Sequence, residues 1–205
     1  MIGIIDYGAG NVGNVKRALL ALEESCTVLR SPELVKKDID FLILPGVGAF
    51  APAMIALRQQ GWDIFLQQWA KENKPILGIC LGLHLLCESS EEDGYHEGLG
   101  LLEGHVCHLQ TRKCPHMGWN SLEWIKPIKG VTPSSEKTNF YYFVHSYGLP
   151  QTEDTVAITR IEERSVTAIC LRKRVAAFQF HPERSGNAGL SILGKTIKML
   201  RGVSL

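Results

Sequence analysis

Short apolar runs alternate with stretches of helical periodicity through the first half of the chain. In the first such stretch Val15, Leu19 and Leu22 recur on one helical face. Alternation of this kind is typical of βαβ units, in which helices cover both faces of a parallel sheet. The predicted elements are strands at 2–6, 27–29, 40–44 and 75–80, and helices at 12–24, 51–73 (broken at Gly61) and 81–88.

The second half of the chain has a different pattern, in which apolar runs follow one another closely. It predicts strands at 106–109, 139–144, 155–161, 165–171 and 175–180, and a last helix at 188–200. Closely spaced strands favour antiparallel pairing. We therefore expect an α/β fold in which a mixed or antiparallel extension joins a parallel core. No stretch of linker composition divides the chain, so residues 1–205 are predicted to form a single domain.

Charge and hydropathy narrow the functional classes. The chain has 22 Lys and Arg residues against 21 Asp and Glu, a formal net charge of +1. Nucleic-acid-binding domains and polybasic membrane-surface proteins carry an excess of basic residues, so neither kind of partner is expected. No apolar run reaches the ~18 residues of a membrane span. The start, MIGIIDYGAGN, lacks the basic segment of a secretory signal, which predicts a cytoplasmic protein with reduced cysteines.

A GxGxxG motif, Gly8 to Gly13, follows the first predicted strand and precedes the first helix. This is the dinucleotide-binding pattern, whose glycines let the backbone approach a pyrophosphate. The second strand should then end in an acidic residue that binds the ribose, yet Leu29 is followed by Arg30. A glycine-rich turn is the favoured interpretation. A nucleotide site with Arg30 on a 2′-phosphate stays as an alternative.

The sharpest chemical signal is a cysteine between two glycines at the end of an apolar run, Gly78-Ile79-Cys80-Leu81-Gly82. A Gly-x-nucleophile-x-Gly sequence allows the tight strand-to-helix turn that presents a nucleophile above a sheet. The helix N-terminus favours the reactive thiolate, and the N–H of Leu81 would face an oxyanion formed on the substrate. The alternative is a buried structural cysteine between two chance glycines.

A nucleophilic thiol needs a base and a group that orients the base. The predicted strand at 175–180 ends in His181-Pro182-Glu183. The proline restricts the backbone between the two side chains. His181 can therefore take the thiol proton while Glu183 accepts a hydrogen bond from the other imidazole nitrogen. Together, the cysteine elbow and this motif predict nucleophilic catalysis on an α/β fold.

With these motifs the sequence resembles the class I, or triad, glutamine amidotransferases, and within them the glutaminase subunits of imidazole glycerol phosphate synthases. The resemblance covers essentially the whole chain. It implies a flavodoxin-like three-layer α/β core with a central mostly parallel sheet plus an additional antiparallel sheet. It also assigns the glycine motif to the family's DYGxGN segment. The matching segments are IIDYGAGN (4–11), LPGVGAF (44–50), GICLGLHLL (78–86), PHMGWN (115–120), YFVHSY (142–147) and FQFHPERSG (178–186).

The resemblance further implies a role for each matching residue. Cys80 would be the nucleophile, His181 the base and Glu183 its orienting partner. The remaining implied positions are the oxyanion-hole backbone at Val47, Gly48 and Leu81, the glutamine pocket at Gly46, His84, His145, Ser146 and Tyr147, and the partner contacts at Asn11, Asn14, Met117, Trp119 and Asn120.

Enzymes of this family hydrolyse L-glutamine to glutamate and ammonia through a cysteinyl thioester. By resemblance, the ammonia would pass to a cyclase subunit, a (β/α)8 barrel that forms a heterodimer with this chain. That subunit would make imidazole glycerol phosphate and AICAR in histidine biosynthesis. In the family the oxyanion loop stays inactive until the partner binds its nucleotide, and this chain needs no cofactor. Two alternatives stay open: a paralogous subunit for surface-sugar amidination, and a different Cys-His-Glu hydrolase such as a peptidase.

One position departs from the family pattern. The family usually has Gln in Gly-x-Cys-x-Gly-x-Gln, where the amide helps to hold the substrate, and this chain has His84. His84 comes one helical turn after Cys80, so it can face the same pocket. An imidazole cannot present the donor and acceptor pair of an amide. A tolerated substitution at the pocket edge is the favoured interpretation, and an effect on glutamine affinity is the alternative.

Two further segments receive structural interpretations. Residues 88–97 are acidic and are interpreted as a solvated connection. Residue types that bind zinc are concentrated in residues 104–116, namely His105, Cys107, His108, Cys114 and His116. Their spacing is not that of a zinc finger, and His108 would lie on the strand face opposite to His105 and Cys107. We therefore expect no metal site.

Overall fold

The structure is a computed structural model that describes residues 1–133 and 138–203. An eight-stranded sheet forms its centre, in the order β2-β1-β3-β4-β14-β13-β12-β9. Its strands are β1 (Ile2–Ile5), β2 (Cys26–Leu29), β3 (Phe41–Gly46), β4 (Ile76–Cys80), β9 (Glu123–Trp124), β12 (Thr155–Ile161), β13 (Arg164–Arg172) and β14 (Val175–Phe178). The prediction of one domain over 1–205 includes residues 134–137 and 204–205, which lie outside the described residues.

Five neighbouring strands, β2, β1, β3, β4 and β14, run parallel. Four of them are buried along their whole length, as strands covered on both faces must be. Apolar side chains alternate between two cores, one around Trp62 and one around Ile197. The three-layer core is therefore confirmed. The helices are α1 (Val12–Ala21), α2 (Phe50–Gln59), α3 (Trp62–Lys71), α4 (Leu81–Leu86) and α5 (Gly186–Arg201).

The predicted break at Gly61 is confirmed. Gly61 has a φ of 73° between α2 and α3, in the left-handed region that glycine adopts at little cost. Within residues 1–133 and 138–203, no helix combines the length and the apolar character needed to cross a membrane.

The predicted antiparallel extension is also confirmed. Strand β13 pairs antiparallel with both β14 and β12, and β12 pairs antiparallel with β9. Two small sheets lie beside the large one. The first pairs β8 (His116–Ser121) with β10 (Phe140–His145), and the second joins β5 (Ser89–Ser90), β6 (His96–Glu97), β7 (His105–His108) and β11 (Tyr147–Gly148).

Strand β8 was not predicted from the sequence. Its large apolar residues, Met117 and Trp119, are 65% and 58% exposed, so the usual alternation of buried apolar and exposed polar positions is absent. The strand forms because all six of its residues pair with β10.

The carboxyl ends of three parallel strands meet at one edge of the large sheet. Gly46 at the end of β3 lies opposite Cys80 at the end of β4, and Phe178 at the end of β14 lies opposite Ile79. Ligands of open α/β sheets bind in the crevice at this edge. The motifs that predicted catalysis all come to this place.

Candidate active site

Cys80 lies at a sharp turn between β4 and α4. Its φ of 54° and ψ of −109° are far from the values of a strand or a helix. A non-glycine residue with such backbone angles stores about 1–3 kcal/mol of strain. The flanking glycines make the turn possible. A Cβ on Gly82 would lie 2.0 Å from the Leu44 carbonyl oxygen, and one on Gly78 would lie 2.8 Å from the Gly82 backbone. The local geometry is the nucleophile elbow that the sequence predicted.

His181 and Glu183 follow β14 and meet in a buried pair. His181 Nδ1 lies 2.8 Å from Glu183 Oε1, and the two side chains are 4% and 1% exposed. The backbone is held as well, since His181 N–H donates to the Tyr142 carbonyl and Ser185 Oγ donates to the His181 carbonyl. Because Glu183 accepts at Nδ1, Nε2 is the nitrogen left for chemistry.

Nε2 of His181 is directed to the region of Cys80. This nitrogen is buried and has no hydrogen-bond partner among the described residues, while the Cys80 thiol lies 3.8 Å from the Val144 carbonyl oxygen. Burial lowers the pKa of His181, but its interactions with Cys80 and Glu183 outweigh that effect and raise the pKa to about 10. An imidazole with this pKa can hold the proton that the Cys80 thiol gives up.

These groups line a cavity of about 270 Å³ at the carboxyl edge of the sheet. A larger cavity of about 980 Å³ lies at the amino ends of β3, β4 and β14, and none of the predicted site residues lines it. We assign the site to the smaller cavity because the strained thiol and the buried His–Glu pair are there. Its lining residues are Val47, Gly48, Cys80, Leu81, His84, Glu92, Pro115, Val144, His145, Ser146, Tyr147 and His181.

The residues predicted to form the oxyanion-hole backbone, Val47 and Gly48, follow β3. Both are exposed, whereas the strand before them is buried, and Gly48 has a φ of 97°. Leu81 faces this segment as the first residue of α4. Gly46 does not line the cavity. A Cβ there would lie 2.8 Å from both Tyr7 Oη and Leu81 Cβ, so this glycine is needed for close packing beneath the site.

Glu92 lines the cavity, although the sequence did not predict it there. The interpretation of residues 88–97 as a solvated connection is wrong for this part of the chain, because Ser89 and Ser90 are buried and Glu92 is half-buried. Glu92 Oε2 accepts a hydrogen bond from Phe50 N–H at 2.9 Å. Burial raises the pKa of Glu92, and the Phe50 N–H opposes that shift. The carboxylate is therefore held at the cavity by the start of α2.

His84 lies deep in the wall of the cavity. It is 4% exposed, and its Nε2 lies 2.8 Å from Gln179 Oε1. Burial lowers the pKa of His84 to about 4, although the contact with Gln179 opposes the shift. At neutral pH the ring carries one N–H, and that N–H donates to Gln179. This position agrees with the expectation that His84 faces the pocket.

A chain of hydrogen bonds connects the cavity to β8. His145 Nδ1 lies 2.7 Å from the Tyr147 carbonyl, His145 Nε2 lies 3.0 Å from His116 Nδ1, and Asn120 Nδ2 lies 3.5 Å from His116 Nε2. A carbonyl can only accept, so His145 donates from Nδ1 and, as a neutral ring, accepts at Nε2 from His116. Burial lowers the pKa of His145 to about 3 and also lowers that of His116.

The predicted partner contacts fall into two groups. Met117 and Trp119 are exposed on β8, where Asn120 also donates to the Arg160 carbonyl at 2.8 Å. Asn11 and Asn14 lie at the start of α1, where Asn11 Oδ1 accepts from Asn14 N–H at 3.2 Å.

The glycine motif packs against Pro45, near the end of β3. A Cβ on Gly10 would lie 3.2 Å from Pro45 Cγ, and Gly8 and Gly10 have φ angles of 95° and 150°. Arg30, the candidate phosphate contact, lies 3.5 Å from Asp6. These contacts agree with the glycine-rich turn and give no support to a nucleotide site.

Comparisons with known proteins agree with the geometry. Residues 3–198 match the family "Glutamine amidotransferase class-I". The chain therefore belongs to the class I glutamine amidotransferase family. Among curated relatives, the protein "Imidazole glycerol phosphate synthase subunit HisH" of Prochlorococcus marinus (strain MIT 9211) is 44% identical over 203 residues, covering 97% of this chain and 94% of the relative. The protein of the same name in Desulfitobacterium hafniense (strain DSM 10664 / DCB-2) is 45% identical over 197 residues, covering 94% and 92%.

Solved structures show the same fold. A crystal structure of a glutamine amidotransferase superposes with a TM-score of 0.76 at 20% identity, covering 98% of this chain and 99% of that one. A chain from the structure of PurLQS from Thermotoga maritima gives a TM-score of 0.73 at 18% identity, covering 97% and 98%. At these identities the likeness concerns the fold alone.

Proposed function

We propose that this chain is the glutaminase subunit of an imidazole glycerol phosphate synthase and hydrolyses L-glutamine to glutamate and ammonia. The observation that carries the proposal is the strained Cys80 on the same cavity as His181, whose Nδ1 is paired with the buried Glu183. Relatives that are 41–45% identical over nearly the whole chain bear the name of that synthase subunit, which favours it over a surface-sugar amidination subunit or a peptidase.

The first half of the reaction forms a thioester. The Cys80 thiol gives its proton to His181 Nε2, and the sulfur attacks the carbon of the glutamine side-chain amide, forming a C–S bond while an electron pair moves onto the amide oxygen. Collapse of this tetrahedral intermediate breaks the C–N bond. The leaving nitrogen takes the proton from His181 and departs as ammonia.

The second half regenerates the thiol. A water gives a proton to His181 as its oxygen attacks the thioester carbon, and the second tetrahedral intermediate expels the Cys80 sulfur. The sulfur recovers the proton, and glutamate leaves. Glu183 keeps the His181 ring in the tautomer whose Nε2 can accept a proton, and it stabilises the imidazolium that forms in each half of the reaction.

Backbone N–H groups stabilise the two oxyanions. Leu81 N–H, at the start of α4, is one donor, and a backbone N–H from Val47 or Gly48 is the second. Loss of one such donor typically costs about 100–1,000-fold in rate. The exposure of Val47 and the glycine conformation of Gly48 make this segment suited to adjustment by a partner, as the family resemblance implies.

Substrate selection depends on charge in a small cavity. Glutamine carries an α-ammonium group, and Glu92 is the one carboxylate among the described residues that line the cavity. A half-buried carboxylate beside an ammonium gives a strong charge-assisted hydrogen bond. Glu92 therefore binds the α-ammonium while the side-chain amide reaches Cys80.

The partner is a cyclase subunit with a (β/α)8 barrel, which forms a heterodimer with this chain and uses the ammonia to make imidazole glycerol phosphate and AICAR. The exposed Met117 and Trp119 support a protein interface at β8, since exposed Met and Trp are typical of contact surfaces. The network from Asn120 to Tyr147 gives that surface a physical connection with the glutamine cavity.

A glutaminase assay with and without a cyclase subunit and its nucleotide tests the proposal. We expect one ammonia, either released or incorporated by the cyclase, for each glutamate, at a rate that rises when both the cyclase and its nucleotide are present. Cys80→Ala should lower the glutaminase activity by about 10⁴-fold or more. Cys114→Ala, which removes an exposed thiol near the cavity, should retain the activity. Full activity in Cys80→Ala would exclude the mechanism, and equal rates with and without the cyclase would exclude the activation.

A further inference from the structure

We propose that Glu91, His105 and Cys107 form a binding site for Zn²⁺ beside the glutamine cavity. One oxygen, one imidazole nitrogen and one sulfur from these residues all lie within 4.8 Å of one another. Carboxylate, imidazole and thiolate are the three ligand types that zinc takes in proteins. The spacing of the His and Cys residues does not indicate this site, because the third ligand, Glu91, comes from the acidic segment 88–97.

The strand geometry places two of the ligands on one face. His105 and Cys107 are alternate residues of β7, so their side chains project from the same side. Glu91 follows β5, which pairs parallel with β7, and His105 Nε2 lies 3.9 Å from Glu91 Oε2. Ligand atoms around tetrahedral zinc are about 3.5 Å apart, as bond lengths near 2.0–2.3 Å require. Zinc binding therefore requires Glu91 and Cys107 to move closer, and the Cys107 thiol to leave the His105 carbonyl oxygen, which it contacts at 3.5 Å.

His105 and Glu91 each have a second polar atom that is held by a neighbouring group. His105 Nδ1 lies 2.7 Å from Ser89 Oγ, so a ring that donates there presents the lone pair of Nε2 to a metal. Glu91 Oε1 accepts from His108 N–H at 2.7 Å, which leaves Oε2 for coordination. The Tyr95 ring stacks on the His105 ring, with centroids 5.9 Å apart. Such support for a ligating histidine and carboxylate is typical of metal sites.

The remaining His and Cys side chains of this region do not join the cluster. His108 Nε2 lies 3.5 Å from Cys114 Sγ, and His116 bonds with His145. Zinc would therefore have three protein ligands and a water in the fourth position, and the Cys107 thiol would release its proton to solvent on binding. The site borders the glutamine cavity, because Glu91 directly precedes Glu92, which lines that cavity.

Metal binding by the full chain tests the site directly. A Cys80→Ser background removes the catalytic thiol, which would compete for zinc, and a chromophoric chelator then reports the zinc affinity and stoichiometry. We expect one equivalent of Zn²⁺, and no binding of Mg²⁺, which prefers oxygen ligands alone. With Co²⁺ as the probe, a sulfur-to-cobalt charge-transfer band should appear in the near ultraviolet.

Matched variants separate this cluster from the neighbouring pair. Cys107→Ser and His105→Ala should each weaken zinc binding by more than about 100-fold, and Ser89→Ala, which only frees Nδ1, by about 10-fold. Cys107→Ser should also remove the charge-transfer band. Cys114→Ser and His108→Ala should change the affinity less than about twofold, because neither side chain belongs to the cluster. Circular dichroism confirms that each variant is folded.

The opposite results would overturn the site. Zinc binding that survives Cys107→Ser, or that Cys114→Ser weakens equally, would assign the metal to other side chains. Failure to bind one equivalent in the Cys80→Ser background would show that the three groups do not act as a metal site. Neither result bears on glutamine hydrolysis, which is measured separately.

Discussion

The two walls of the glutamine cavity are built in different ways. One wall is the carboxyl edge of the parallel sheet, where Cys80 ends the buried strand β4 and His181 follows shortly after the buried strand β14. The other wall comes from the two small sheets and from the segment between β5 and β6, and it carries Glu92, His145 and Tyr147. The first wall holds the reacting groups on short, rigid connections, whereas the second wall depends on contacts between residues distant in sequence.

This difference separates chemistry from recognition. A nucleophile and its base need fixed geometry, which the ends of adjacent buried strands provide. Recognition of a small zwitterion needs charge and hydrogen bonds from several directions, which a wall assembled from small sheets and loops can supply. Changes to the first wall should therefore affect mainly kcat, and changes to the second wall mainly KM.

The largest effect is expected on the first wall. Glu183→Gln keeps the size of the side chain but removes the charge that orients His181 and stabilises the imidazolium, so kcat should fall by about 10³–10⁴-fold with little change in KM. Steady-state kinetics of glutamine hydrolysis with the activating partner measure both. Glu123→Gln, at an exposed ion pair with Arg160, is the matched control. A kcat that falls by less than tenfold would contradict the role of Glu183.

On the second wall, Glu92→Gln should raise the KM for glutamine. The neutral amide loses the charge-assisted bond to the α-ammonium, worth about 1.5–3 kcal/mol, which corresponds to about 10–150-fold. The kcat should change much less, because Glu92 is proposed to bind the α-ammonium and not the amide that reacts. Asp93→Asn, at the exposed neighbouring position, is the control. An unchanged KM, or a kcat that falls as far as KM rises, would break the division between the walls.

Acid should destabilise the protein through the buried histidines. The folded-state pKa of His84 is about 4, below the ordinary value, so its contribution to stability is present above about pH 6.5 and is lost as pH falls towards 4. Between pH 6.5 and 5.5 the wild type should lose about 1 kcal/mol more free energy of unfolding than His84→Gln. Urea unfolding at both pH values measures the difference, and parallel losses would show that His84 is not buried in the neutral form.

The smallest expected effect concerns glutamine affinity in the same variant. The single N–H of His84 donates to Gln179, so it has none left for the substrate, whereas a glutamine at this position has two amide donors and an acceptor. His84→Gln should lower the KM for glutamine by about threefold, about 0.6 kcal/mol. An unchanged or higher KM would show that a side chain at position 84 does not contact the substrate.

The two walls also differ in how far the sequence predicted them. Cys80, His181 and Glu183 were found because local motifs encode a turn and a strand end, which depend on neighbours in sequence. Glu92 and Glu91 were missed because their roles depend on contacts with Phe50 and His105, which only the folded chain brings near. The strand β8 was missed for a related reason, since its outward Met117 and Trp119 give no sign of a buried face.

The φ of 54° at Cys80 has a consequence for how this fold is maintained. Glycine adopts such angles without a Cβ penalty, so a residue that cannot catalyse fits this backbone with less strain than the nucleophile does. Mutation without selection for activity would then increase stability as it removes the nucleophile, a trade-off between stability and function concentrated in one backbone angle. The cysteine persists at this position only as long as its chemistry is needed.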